Sequence, residues 1–189
     1  MSSVTDYTLP VEIPGISYFC DPSPFSIELG YTFTDGITIA YHTYGQLNEA
    51  RNNVIWVCHA LTANSRVDDW WSVLFGEGKA LDPTKYFIVC ANVLGSCYGS
   101  TGARSINPVS GQPYGMDWPL VTVRDWVSAH DRLRVHLDID EIQFCIGGSC
   151  GGHQVLEFAY LIPDKIKHLG LLVTSARESA WAIAGHEAQ

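Results

Sequence analysis

The sequence predicts an α/β domain with a mostly parallel central sheet and helices on both faces. Three observations point there. Short, mostly apolar runs recur along the chain, segments able to form helices separate them, and a glycine-flanked serine stands at one strand-to-helix junction. Apolar runs of this kind suit strands covered on both faces. Strands that alternate with helices imply right-handed crossover units.

Taken in order, residues 25–29 and 37–44 read as a strand pair joined by a turn at Asp35 and Gly36, an expected antiparallel edge. The runs 54–58 (VIWVC), 86–91 (YFIVCA), 142–146 (IQFCI) and 166–173 are the expected interior strands. Residues 123–137 make the clearest crossover helix, with Val123, Trp126, Val127, Leu133 and Leu137 largely on one face. Asp125, Asp131, Asp138 and Asp140 then fall on or beside its exposed face, a solvated surface. Residues 95–119 are rich in Gly, Ser, Pro and Asn without periodicity. Such a long loop is usually functional or disordered. Residues 177–189 read as the opening of a helix that ends without a cap, so the chain is expected to be truncated. The expected division is an amino-terminal extension over residues 1–24, an incomplete core over 25–176 and the start of an insertion over 177–189.

Composition narrows the function. A chain of 189 residues suits one domain with a proper core. With 47% hydrophobic and 16% charged residues it is expected to pack rather than stay disordered. A formal net charge of -9 disfavours nucleic acid, which needs clustered Lys and Arg. It leaves room for a local anion site built from backbone amides. Residues 1–14 lack the basic start and apolar stretch of a leader, and no apolar run approaches the ~18 residues of a membrane span. No membrane partner and a cytoplasmic location are therefore expected. Cys20, Cys58, Cys90, Cys97, Cys145 and Cys150 form no CxxC pair, and Cys58, Cys90 and Cys145 lie in or at the ends of apolar runs. Reduced core thiols are expected, and no metal site.

The chemistry centres on Gly147-Gly148-Ser149-Cys150-Gly151, a G-x-S-x-G between an expected strand and a helix over residues 152–161. That context marks a nucleophile elbow. The turn strains its central residue, so glycine is needed two positions to either side, where Gly147 and Gly151 stand. It would lift the Ser149 hydroxyl above the carboxyl end of the sheet, beside the free N–H groups of a helix start. Cys58-His59-Ala60-Leu61-Thr62 follows the VIWVC strand. In α/β hydrolases the loop at that place supplies one oxyanion-hole N–H and the residue after the nucleophile supplies the other. Here those are Leu61 and Cys150. The bland alternatives are a glycine-rich turn with an incidental serine and a loop residue without a ligand.

Three stretches together resemble the homoserine O-acetyltransferase family: VCHALTANS at 57–65, ANVLGSCYGSTGARSINPVSGQPYG at 91–115 and IGGSCGGHQVLEFAYLIPD at 146–164. Trp70 and Trp71, GEGKAL at 76–81 and VTVRD at 121–125 are similar to it too. The resemblance runs from about Phe25 to the last residue and implies an α/β-hydrolase fold. It implies that acetyl-CoA acylates Ser149 and that the homoserine hydroxyl then takes the acetyl group, a step of methionine biosynthesis. No permanently bound cofactor is implied, and the full-length protein is expected to be a homodimer joined through a helical lid that would begin at 177–189. The family's catalytic Asp and His come late in the chain, and neither position falls within these residues. The chain alone is therefore expected to be inactive.

Internal histidines are poor substitutes by sequence. His59 adjoins the oxyanion loop and His153 follows Ser149 by four, both badly placed for a base that approaches from beyond the last strand. His42, His130, His136, His168 and His186 show no ligand spacing. Trp70 and Trp71 either wall an acyl tunnel or pack on the sheet, Arg104 either meets an anion or lies on the surface, and the Cys150 thiol is open to oxidation. Competing readings are an esterase on the same fold, a sister transferase using succinyl-CoA or serine, and a catalytically dead fragment. Apolar area at the sheet edge is expected to stay exposed.

Overall fold

A computed structural model describes residues 13–188. Its strands are β1 (Ser17–Asp21), β2 (Phe25–Ser26), β3 (Thr32–Phe33), β4 (Ile37–Tyr44), β5 (Val54–Cys58), β6 (Phe87–Ala91), β7 (Ile142–Gly148) and β8 (Ile166–Leu172). Its α-helices are α1 (Val67–Trp70), α2 (Val123–His136), α3 (Cys150–Leu161) and α4 (Ala180–Glu187). Six strands form one sheet in the order β1-β4-β6-β5-β7-β8. β6, β5, β7 and β8 run parallel, while β4 is antiparallel to both β6 and β1.

The interior strands fall where the apolar runs put them, because a strand covered on both faces has no polar side to interrupt it. All five residues of β5 are buried. Val54, Trp56 and Cys58 face the larger core cluster, with Val127, Ala129 and Leu133 of α2 and Val155 and Phe158 of α3. Ile55 and Val57 face the smaller one, closed by Val67, Leu81 and the half-buried Trp70 and Trp71. Each large apolar side chain so buried contributes about 1.5–3 kcal/mol.

The expected partner of residues 37–44 is corrected. β4 pairs with β1, Ser17 opposite Tyr41 and Asp21 opposite Ile37. Residues 25–29 cannot fill that edge. Ile27 N donates to Tyr31 O and Gly30 N to Ile27 O, closing a tight turn that leaves only the two-residue pair β2–β3 in a separate small sheet. The main sheet thus begins at Ser17, inside the stretch expected to be an extension, and α3 begins at Cys150 rather than 152.

Asp125 is the second correction. It is 3% exposed rather than solvated. As the third residue of α2 it closes a capping box with Thr122, its Oδ2 accepting from Thr122 N at 2.8 Å, and its Oδ1 accepts from Glu28 N at 2.9 Å. A carboxylate that satisfies orphan helix amides can be buried where a free one cannot. Asp138 does pair at the surface, with Arg51, while Asp131 pairs with Arg134, whose side chain is buried.

Residues 95–119 hold one short 3₁₀ turn, Gly115–Asp117. The loop is nonetheless stitched to β4: Thr38 N donates to Thr101 Oγ1, Thr101 N to Thr38 O and Ala40 N to Ser100 Oγ. At the opposite edge β8 leaves Leu169, Leu171 and Leu172 each more than 40% exposed, as expected for the sheet edge. Among the described residues no helix is long and apolar enough to cross a membrane.

Candidate active site

Ser149 occupies the turn between β7 and α3 with φ 54° and ψ -123°. That region is sparsely populated for any residue with a side chain and costs on the order of 1–3 kcal/mol. Its surroundings impose it. A Cβ at Gly147 would stand 2.4 Å from Gly151 O, and one at Gly151 would stand 2.2 Å from Cys58 O. Only hydrogen fits at either place, so strand, turn and helix close on each other. Ser149 N donates to Leu172 O, and its carbonyl accepts from Gly152 N, His153 N and Thr174 Oγ1. The backbone is held from both sides. The residue is exposed, and among the described residues its hydroxyl has no hydrogen-bond partner.

The contact of Gly151 with Cys58 also brings the loop after β5 against the start of α3. Cys58 lies opposite Gly147 in the sheet, and Leu61 three residues on is 76% exposed. Among the described residues the amides of Leu61 and Cys150 donate to no protein acceptor. For Cys150 this follows from its place in the first turn of a helix. At Leu61 it follows from the way the loop is anchored at its two ends. His59 Nδ1 donates to Ala60 O at 2.8 Å and His59 Nε2 accepts from Val93 N at 3.3 Å. Ser65 N donates to Asn92 Oδ1 and Asn92 Nδ2 donates to Ser65 Oγ, both at 2.9 Å. Gln154 Nε2, on α3, donates to His59 O at 3.1 Å.

All seven histidines lie among the described residues, and none of their rings bonds to the Ser149 hydroxyl. His59 is committed as above, and burial pushes its pKa down. His42 bonds Ser65 Oγ and Pro14 O. His130 is buried against Trp56 and Phe158, and burial pushes its pKa to about 3. His153 faces Glu178 at 3.6 Å. Burial raises the Cys150 thiol above its ordinary value, which keeps it protonated. Trp70 donates from its indole to Asn64 O, and its ring lies tilted against Trp71 with centroids 4.8 Å apart, both packed on the smaller core cluster. Arg104 is exposed. Among the described residues no three His, Cys, Asp or Glu gather to hold a metal.

Sequence reasoning missed Asn92, Ser65 and Gln154, which act through partners distant in the chain, and Gly152, where a Cβ would stand 2.4 Å from Thr174. The four glycines that flank Ser149 and Cys150 were the one available signal for the last.

The sequence profile of the alpha/beta hydrolase fold matches residues 53–187. The chain belongs to the α/β-hydrolase fold family. The chain is 49% identical over 172 residues to a homoserine O-acetyltransferase of Trichormus variabilis, covering 91% of this chain and 48% of that protein. It superposes on the crystal structure of esterase E22 with a TM-score of 0.84 at 28% identity, covering 92% of this chain and 51% of that one. The homoserine O-acetyltransferase from Bacillus anthracis gives a TM-score of 0.79 at 29% identity, covering 87% and 48%. The chain spans about half the length of the curated relatives it matches.

Proposed function

We propose that the chain carries the nucleophile and oxyanion hole of an acyltransferase that moves an acetyl group from acetyl-CoA to L-homoserine. One observation carries this reading: an unbonded serine hydroxyl on a strained turn, with two unpaired amides, Leu61 and Cys150, on the elements that flank it. The curated relatives support the substrates.

In the first step Ser149 Oγ attacks the thioester carbonyl, its proton passes to a base, and negative charge gathers on the carbonyl oxygen. The amides of Leu61 and Cys150 donate to that oxygen. Removing one such donor typically costs about 10²–10³ in kcat. The C–S bond breaks and CoA leaves as the thiol. The homoserine hydroxyl then attacks the seryl ester, its proton returns through the base to Ser149, and O-acetylhomoserine departs. Both half-reactions need a histidine oriented by a carboxylate, and no imidazole here bonds the serine hydroxyl. On this reading residues 1–189 alone do not turn over, and the base, the lid and the homodimer contact come from the rest of a protein as long as its relatives. Without a base only about 10³–10⁴-fold acceleration remains from the hole and binding. A cytoplasmic location accords with soluble substrates.

Esterase E22 supports a second reading, in which water replaces homoserine. Incubating the whole protein with homoserine and acetyl-CoA or succinyl-CoA, while following thiol release and O-acyl product, separates the two. The transferase reading expects O-acetylhomoserine, lost in Ser149→Ala. Thiol release without O-acyl product overturns it, and turnover by residues 1–189 that Ser149→Ala abolishes would point to an internal base.

A further inference from the structure

Gln154 is wholly buried on α3, one turn beyond the serine, yet uses only part of its hydrogen-bonding capacity. Its Nε2 donates to His59 O at 3.1 Å, while its Oε1 has no protein partner. Fold stability alone favours an apolar side chain of the same shape at such a place, since an amide left half-paired in a core is a net cost. The one bond it makes therefore matters for where it leads. His59 O lies two residues before the free amide of Leu61, and the His59 ring is itself held at both nitrogens. Ala60 O can only accept, so Nδ1 carries the hydrogen, and Val93 N can only donate, so Nε2 is bare. The imidazole is neutral and fully used, and burial keeps it so.

We propose that Gln154 and His59 are positioning residues that fix the Leu61 amide relative to Ser149, a role that rests on the oxyanion-hole reading above. The helix that begins at the nucleophile grips the loop that presents the second donor, through one buried amide and one neutral ring. Gly151 sets how closely the two elements approach. Gln154 and His59 set the angle at which the loop leaves the contact. Neither side chain reaches substrate, so their effect lies in the geometry offered to the developing oxyanion. A displacement of about 1 Å at such a donor costs roughly 10²-fold in rate.

The test uses the whole protein with p-nitrophenyl acetate as the acyl donor, reading the burst of p-nitrophenol as Ser149 is acylated. Gln154→Met keeps the shape and removes the donor. The expected result is acylation roughly 10²-fold slower, the ester concentration that half-saturates the burst rate changed by less than about twofold, and a melting temperature equal to or above that of the wild type. A role confined to stability would move the melting temperature down and leave the rate at saturation unchanged. Acylation of Gln154→Met at the wild-type rate overturns the inference, as does failure of that variant to fold. A wild-type protein that is never acylated at Ser149 overturns the oxyanion-hole reading itself, a result distinguishable from the other two.

Discussion

The two loops that meet at Ser149 keep their shapes by opposite means. The elbow is held by exclusion: glycines at 147 and 151 admit backbone to within contact distance, and the serine takes the only conformation left. The loop after β5 is held by attachment, through bonds from His59, Asn92 and Gln154 to its two ends. Exclusion works over a few ångströms and within a few residues of the chain. Attachment draws on groups from three separate elements. The difference teaches that, of two loops meeting at one turn, one can be robust in sequence and the other dispersed through it.

Three substitutions test how far that contrast extends. Gly151→Ala brings a methyl group onto the Cys58 carbonyl and is expected to destabilise by about 3 kcal/mol or more, measured by denaturant unfolding; a loss under about 1 kcal/mol would mean the two elements can separate. Asn92→Leu leaves Ser65 N and the Tyr98 carbonyl unpaired inside the protein. It should cost about 2 kcal/mol and speed amide exchange at residues 61–64, while leaving exchange at residues 147–151 unchanged. Equal acceleration in both loops would break the comparison. The smallest effect is nil at neutral pH. His130 is held neutral by burial, its pKa pushed from 6.5 to about 3. The unfolded chain therefore binds the proton first, so this site's contribution is complete above 6.5 and is lost as pH falls toward 3. His130→Phe should flatten the acid limb of a stability-against-pH curve across that window; an unchanged limb would assign it to His42 and His59, whose pKa values burial also lowers.

What was legible in the sequence follows the same division. The five-residue run of β5 and the G-x-S-x-G turn were readable because their requirements are local: burial on both faces for one, absent side chains for the other. The strand at Ser17–Asp21 was not, because SYFCD carries no stronger pattern than the neighbouring residues 25–29, and which of them joins β4 is decided by the turn at Ile27 to Tyr31. Asp125 was misplaced for a related reason. Helical periodicity put it on the outer face, but a residue in the first turn can point back to the cap, and the Glu28 amide that completes its burial lies 97 residues away. The loop after β5 was singled out by its position after a strand and by resemblance, while the side chains that hold it left no mark in any local window.

The bond between Gln154 and His59 spans 95 residues of chain. Closing so large a loop is entropically costly and makes contacts of this kind late events in folding. During synthesis the loop after β5 is made well before the helix that will clasp it, and the turn at Ser149 acquires its setting only when the two ends of that long span are brought together.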